Sequence, residues 1–243
     1  MDPAHTHNAT FPETPWTHVR LAGGEDTMAQ SSLETFCRMY WAPLYAYARR
    51  QGMIAVEAED VTQSFFVHLL ENWPLSAADR DKGRLRSYLL GGLKNFMLNW
   101  HRAKNTVQRG GRWQRVEFDT QEVEAVCAAQ SAGLSPEECF ERQWAASLFD
   151  HALRDLEAEM TAAGKGQQFA VLSEFLLVHG KEARHSEAAA QLGMAEGTVR
   201  VAVLRLRQRF RDRVRAHVAA TVNDEAEVDL ELRHLMNLYS GSD

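Results

Sequence analysis

Residues 186–215 read SEAAAQLGMAEGTVRVAVLRLRQRFRDRVR. At helical spacing this is a short helix, a tight turn and a long basic helix. Ala189 is small where two crossing helices must come close, and four residues later Gly193 supplies the positive φ that such a turn needs. Val199 and Ala202 fall on the face turned back toward the first helix. These positions fit a helix-turn-helix, with Glu196 to Arg209 as the element shaped to enter a DNA major groove. The second helix carries Arg200, Arg205, Arg207, Arg209, Arg211, Arg213 and Arg215 against Glu196 and Asp212, a local excess of five positive charges. Two readings of those arginines stand: contacts to DNA, or the solvated face of an ordinary helical corner.

Upstream, the same period recurs. Leu33, Phe36, Cys37, Tyr40, Trp41, Leu44, Tyr45 and Ala48 predict an amphipathic helix over 28–51, kinked or split at Pro43 and stopped by Gly52. A second helix is expected over 56–73, with Glu57, Glu59 and Asp60 at the positive end of its dipole and Val61, Phe65 and Leu69 in one apolar row. A third carries Leu85, Tyr88, Leu89, Leu93, Phe96, Met97 and Trp100, with Arg84, Arg86, Lys94, Arg102 and Lys104 on its other face. Rings and cations on one helix suit single-stranded DNA, although most rings at this spacing serve equally as core. Ser135-Pro136-Glu137-Glu138 is a capping box with proline at the first helical position, and Phe140, Trp144, Leu148, Ala152, Leu156 and Met160 continue from it in steps of four. Phe169, Leu172, Phe175 and Leu176 line one more helix. No stretch alternates with period two for long enough to be a strand, so the class is all-α.

Charge divides the chain further. Of the 243 residues 45% are hydrophobic and 25% charged, the profile of a soluble globular protein, and the net charge is −6. From Arg80 to Arg115 ten basic residues face Asp81 alone, a local excess of nine. With the excess of five in the basic helix, the rest of the chain stands at −20. Two basic islands in an acidic body predict two separate phosphate contacts. The expected organisation is a disordered leader over 1–26, a helical domain over 27–108, a flexible linker over 109–134, with a short helix near 122–129, a second helical domain over 135–222 that closes in the helix-turn-helix, and an acidic amphipathic tail over 223–243.

Several classes are disfavoured. No run of eighteen apolar residues suggests a membrane span, and the N-terminal segment has neither the basic start nor the apolar core of a secretion signal. The odd set Cys37, Cys127 and Cys139 has no CxxC spacing and reads as free thiols in a reducing cytoplasm. The ten histidines show no HExxH or similar ligand spacing and there is no glycine-rich phosphate loop, so neither an enzyme nor a metal or other cofactor is expected.

Three stretches occur in a fixed order: EAEDVTQSFFVHL (57–69), GRLRSYL (83–89) and LGMAEGTVR (192–200). On them, and over about 32–215, the chain resembles a bacterial RNA polymerase sigma factor of the extracytoplasmic-function type, in which only regions two and four are present. The resemblance implies a protein that binds core RNA polymerase and directs promoter recognition, DNA melting and transcription initiation. It implies core-polymerase contacts at Asp60, Gln63, Phe65 and Phe66, the two rings partly packing in the domain and partly at that interface, with Asp60 equally readable as a dipole-favoured acid. For the unpaired downstream element it implies Arg84, Arg86, Tyr88, Lys94, Asn95, Trp100 and Arg102, with loop 75–83 as pocket wall for an unstacked base. For the upstream element in duplex form it implies Thr198, Arg200, Leu204, Arg205 and Arg207. Promoter DNA and core polymerase are the implied partners, and the family leaves room for an inhibitory anti-sigma protein. A helix-turn-helix regulator that binds duplex DNA without polymerase is the alternative.

Two departures from the family pattern stand out. Ala195 occupies the place where a serine or threonine often caps the recognition helix, a loss of about 1 kcal/mol. Val201 and Ala202 stand where polar or basic residues are frequent, leaving fewer base-reading groups. The tail lies outside the pattern, and two readings are open: it folds back on a basic surface and restrains DNA binding, or it is a passive end helix.

Overall fold

The computed structural model describes residues 27–72, 84–104, 123–124, 133–176, 185–222 and 224–240. The expected leader, loop 75–83, Cys127 and most of the expected linker lie outside the described residues. Those described form helices and the short turns between them, with no strand among them. In chain order the helices are α1 (Thr27–Arg50), α2 (Ala55–Asn72), α3 (Leu85–Lys104), α4 (Pro136–Ala162), α5 (Gly166–Leu172) with a 3-10 turn (Ser173–Phe175), α6 (His185–Leu192), α7 (Glu196–Ala219) and α8 (Glu225–Ser240). Among these residues no helix is long and apolar enough to cross a membrane.

Each end is set by local chemistry. Pro43 does not split α1, which runs through it as one helix. At the start of α4, the Ser135 hydroxyl accepts from the Glu138 N–H while the Glu138 carboxylate accepts from the Ser135 N–H at 2.7 Å. Two donors at the helix start are thereby satisfied. Gly164 ends α4 with φ +71°, and the Lys165 N–H reaches back to the Met160 carbonyl at 2.8 Å, which closes the last turn as a Schellman motif.

The core is built around α4. One side of it lies along α1, and other faces meet α7, α5 and α8. Phe140, Trp144, Leu148, Ala152 and Leu156 are fully buried between these neighbours, continuing the steps of four read from the sequence. Tyr40, Leu44 and Tyr45 of α1, Phe65 and Leu69 of α2, Leu89 and Leu93 of α3, and Val199 and Val218 of α7 belong to the same apolar cluster. The halves expected as separate domains therefore share one core among the described residues. The sequence pattern marks which face of each helix is apolar, but it does not say which other helix that face meets. The expected linker is also tied down at one point. Glu124 accepts from Tyr45 Oη at 2.5 Å and from Arg49 Nη2 at 2.9 Å. The Arg49 guanidinium holds the Glu124 carboxyl below its ordinary value.

Candidate nucleic-acid and partner surfaces

Helices α6 and α7 pack on each other across a three-residue turn. Ala189 is buried at the close approach, and Val199 is fully buried opposite. Gly193 adopts φ +63°, and the Met194 N–H donates to the Ala189 carbonyl at 3.0 Å, so the turn ends α6 in the way that glycine allows without strain. Ala195 stands at the N-cap of α7 in extended conformation and makes no side-chain cap.

Along α7 the residues Val199, Val203, Leu206, Phe210, Val214 and Val218 form the buried stripe. The opposite face is open. Thr198, Arg200, Val201, Leu204, Arg205, Gln208 and Arg211 are all exposed, Leu204 by 68%. Arg200 leans back along the helix to Glu196 at 2.7 Å, while Arg205 and Arg211 form no ion pair among the described residues. The remaining arginines are engaged. Arg207 donates twice to the Phe175 carbonyl, at 3.0 and 2.9 Å, which makes it a brace for the 3-10 turn rather than the groove contact the resemblance implies. Arg209 and Arg213 share Glu159 of α4 at 2.6 and 2.8 Å, holding that carboxyl below its usual range. Arg215 meets Asp229 of α8 at 2.5 Å. Much of the local positive excess is thus neutralised by acids far away in sequence, and what remains is concentrated on the open face.

On α3 the expected downstream-element residues divide. Arg84, just ahead of α3, is half-buried and pairs with Glu231 of α8 at 2.6 Å. On the helix itself Tyr88, half-buried, and Asn95, exposed, share one side, about 20° apart at 100° per residue. Arg86 points the other way and is only 3% exposed. Its guanidinium pairs with Glu141 at 2.9 Å and with Glu231, and lies 4.4 Å over the Trp144 ring. A surface DNA contact at Arg86 is therefore not offered in this arrangement. The sequence pattern placed it with the other cations, because the acids that draw it inward belong to α4 and α8. Lys94 is held by Glu137 at 2.7 Å and lies 5.6 Å over the Tyr47 ring. Trp100 is half-buried against the core. Arg102 lies in the last turns of α3, and its side chain is outside the described residues.

On α2, Phe65 and Phe66 are 0% and 7% exposed and serve as core. Phe65 packs on Phe96 at 5.6 Å, and Phe66 meets Phe36 edge-on at 5.9 Å. That corrects the expectation of a shared role at a polymerase interface. Asp60 and Gln63 stay half-exposed on the outer side, and Gln63 donates to Glu59 at 3.0 Å. Beside them the sequence reading missed Ile54 and Val56, 62% and 63% exposed. Their signal was available: two branched apolar residues just ahead of the acidic helix start, outside its apolar row.

Against known proteins, the chain matches no family model, no curated protein and no solved structure. The surfaces therefore have to be read on their own chemistry. Among the described residues no group of His, Cys, Asp and Glu is placed to hold a metal ion. Burial pushes the Cys37 thiol up to about 12, with Glu34 adding to the effect, and burial raises that of Cys139, so neither is a ready nucleophile.

Proposed function

We propose that the chain is a sigma factor of the extracytoplasmic-function type, which binds core RNA polymerase and directs it to promoter DNA. The observation that carries this reading is the open face of α7. Thr198, Arg200, Val201, Leu204 and Arg205 stand clear on a helix that a tight glycine turn sets against a short partner helix, while the arginines on its flanks are spent on structure. A helix presented this way has the shape and charge for a major groove, where an exposed arginine such as Arg205, in no ion pair among the described residues, suits a guanine edge or a phosphate. The exposed Ile54 and Val56 beside Asp60 and Gln63 favour a protein partner on a surface of α2.

In this reading 27–108 and 135–222 are two working modules, the second closing in a helix-turn-helix, and the packing of α1 on α4 is a closed form that opens when the modules reach the two promoter elements. Two observations favour the second reading, a duplex-binding regulator that needs no polymerase: Arg86 is buried and the halves share a core. The two separate in a pull-down with core RNA polymerase followed by run-off transcription from genomic fragments. Retention on the polymerase and initiation from a subset of fragments are expected. Duplex binding without retention would leave only the regulator.

A further inference from the structure

Glu231 is the most completely buried carboxylate among the described residues, at 0% exposure, and it lies in the middle of an apolar stripe. Val228 and Leu235, three residues before and four after it on α8, are each 1% exposed. An acid in that place is costly unless cations meet it. Two do: Arg84 Nε lies 2.6 Å from one oxygen, close as a charge but not aligned as a hydrogen bond, and Arg86 Nη1 donates to the other. Beyond these two arginines of the first half, the same helix contacts the second half of the molecule. His234 contacts Glu141 of α4 at 3.2 Å, and Asp229 holds Arg215 of α7 at 2.5 Å. So α8 bridges the start of α3 to the end of α7.

We propose that α8 is an internal latch whose Glu231 carboxylate occupies an anion site, formed by Arg84 and Arg86, that otherwise takes a phosphodiester of single-stranded DNA. The inference rests on the function proposed above and names a control on it. Carboxylate and phosphate oxygens are alternative acceptors for the same guanidinium donors, so the helix and a DNA backbone cannot both use them. While α8 is docked, Arg86 is sealed from solvent and Arg84 is half-covered; the open face of α7 is untouched. The latch therefore restrains the strand-binding surface and leaves duplex binding free. If the closed form is dominant, apparent affinity for a strand falls by the fraction of molecules that are open.

The test uses the full chain and its Glu231→Gln variant, each titrated by fluorescence anisotropy against a labelled mixed-sequence single strand and a labelled mixed-sequence duplex. The variant is expected to bind the single strand about tenfold more tightly, as for a closed form populated about nine parts in ten, with duplex affinity unchanged. A folded variant with native strand affinity overturns the latch, and so does an equal gain for strand and duplex. If neither protein binds either DNA, with or without core polymerase, the function proposed above fails and the latch with it. Amide exchange on the native chain keeps the idea exposed should the variant not fold. Residues 228–235 lose protection when the strand is bound to saturation, and retained protection in that complex is incompatible with the latch.

Discussion

Arg86 and Glu231, 145 residues apart in the chain, form an ion pair in which the two side chains are 3% and 0% exposed. Burial opposes the Arg86 charge, but Glu141 and Glu231 outweigh it and hold the guanidinium more firmly protonated than usual. A pair of this kind adds little net stability compared with apolar residues of the same size, yet breaking it from one side is costly. Arg86→Ala leaves Glu231 and Glu141 without the cation they share and removes the cation over Trp144. Because lifting α8 rehydrates Glu231 at no more than the cost of opening, the loss in urea unfolding should be about 1–3 kcal/mol. The double change Arg86→Met with Glu231→Leu should recover most of that loss.

Arg207 and Arg205 are neighbours on α7 with opposite assignments. Arg207→Ala removes both donors from the Phe175 carbonyl and should lower stability by about 1–3 kcal/mol, with duplex affinity of the folded fraction unchanged. Arg205→Ala should leave unfolding within about 0.5 kcal/mol of native but weaken duplex binding. It should also reduce the slope of log affinity against log salt by about one if Arg205 holds a phosphate. Denaturation curves and salt titrations on both variants check the assignment.

Ala195 leaves the first turn of α7 without a side-chain cap, although its backbone is already extended as an N-cap requires. Ala195→Ser should therefore add about 1 kcal/mol, since the hydroxyl is placed to accept from the first-turn N–H groups, of which that of Thr198 now reaches only the Ala195 carbonyl at 2.9 Å. Thermal unfolding reads this directly. A gain confined to stability, with duplex affinity little changed, is the expected result.

Val201 and Leu204 are apolar, exposed by 47% and 68%, and flanked by Arg200 and Arg205. In a major groove their natural contact is the 5-methyl group of thymine. Duplex selected from a random pool by the native chain with core polymerase should bind more weakly when deoxyuridine replaces thymidine. The Val201→Ala, Leu204→Ala double variant should be nearly indifferent to the exchange.

What the sequence made legible, and what it hid, follows one division. Anything fixed by spacing within a helix was readable: the Ser135–Glu138 box, the steps of four from Phe140 to Leu156, and the turn at Gly193. These depend on residues a few positions apart, where the helical period itself sets the geometry. Partnerships between helices were not readable. Nothing near Arg86 marks it as the inward cation, because Glu141 and Glu231 belong to later helices. Phe65 and Phe66 are adjacent and looked divisible between core and surface. In the structure both are covered, since Phe36 of α1 and Phe96 of α3 approach α2 from different sides. The shared core across α1 and α4 escaped for the same reason: each apolar stripe is explicit, and its destination is not.

His151 gives the stability a pH dependence of definite sign. It is 9% exposed on α4, its ring 6.3 Å from that of His217, which itself contacts Asp155 at 2.8 Å. Burial lowers the His151 value from 6.5, with His217 and Arg154 pushing the same way against Asp150 and Asp155. Below 6.5 the unfolded chain takes up a proton that folded His151 refuses. Stability from this residue is therefore full above that value, declines as pH falls through it, and levels off once the folded histidine is charged too. Asp155 is held below its ordinary carboxyl value by His217, so its contribution is lost only at more acidic pH, outside this window. Urea unfolding at about pH 7.5 and about pH 5.5, either side of the ordinary histidine range, should show the native chain losing stability on acidification. Every other group is common to both proteins, so the informative quantity is the difference from His151→Gln. That variant should lose less between the two pH values, and an identical loss would mean that His151 is not the group responsible.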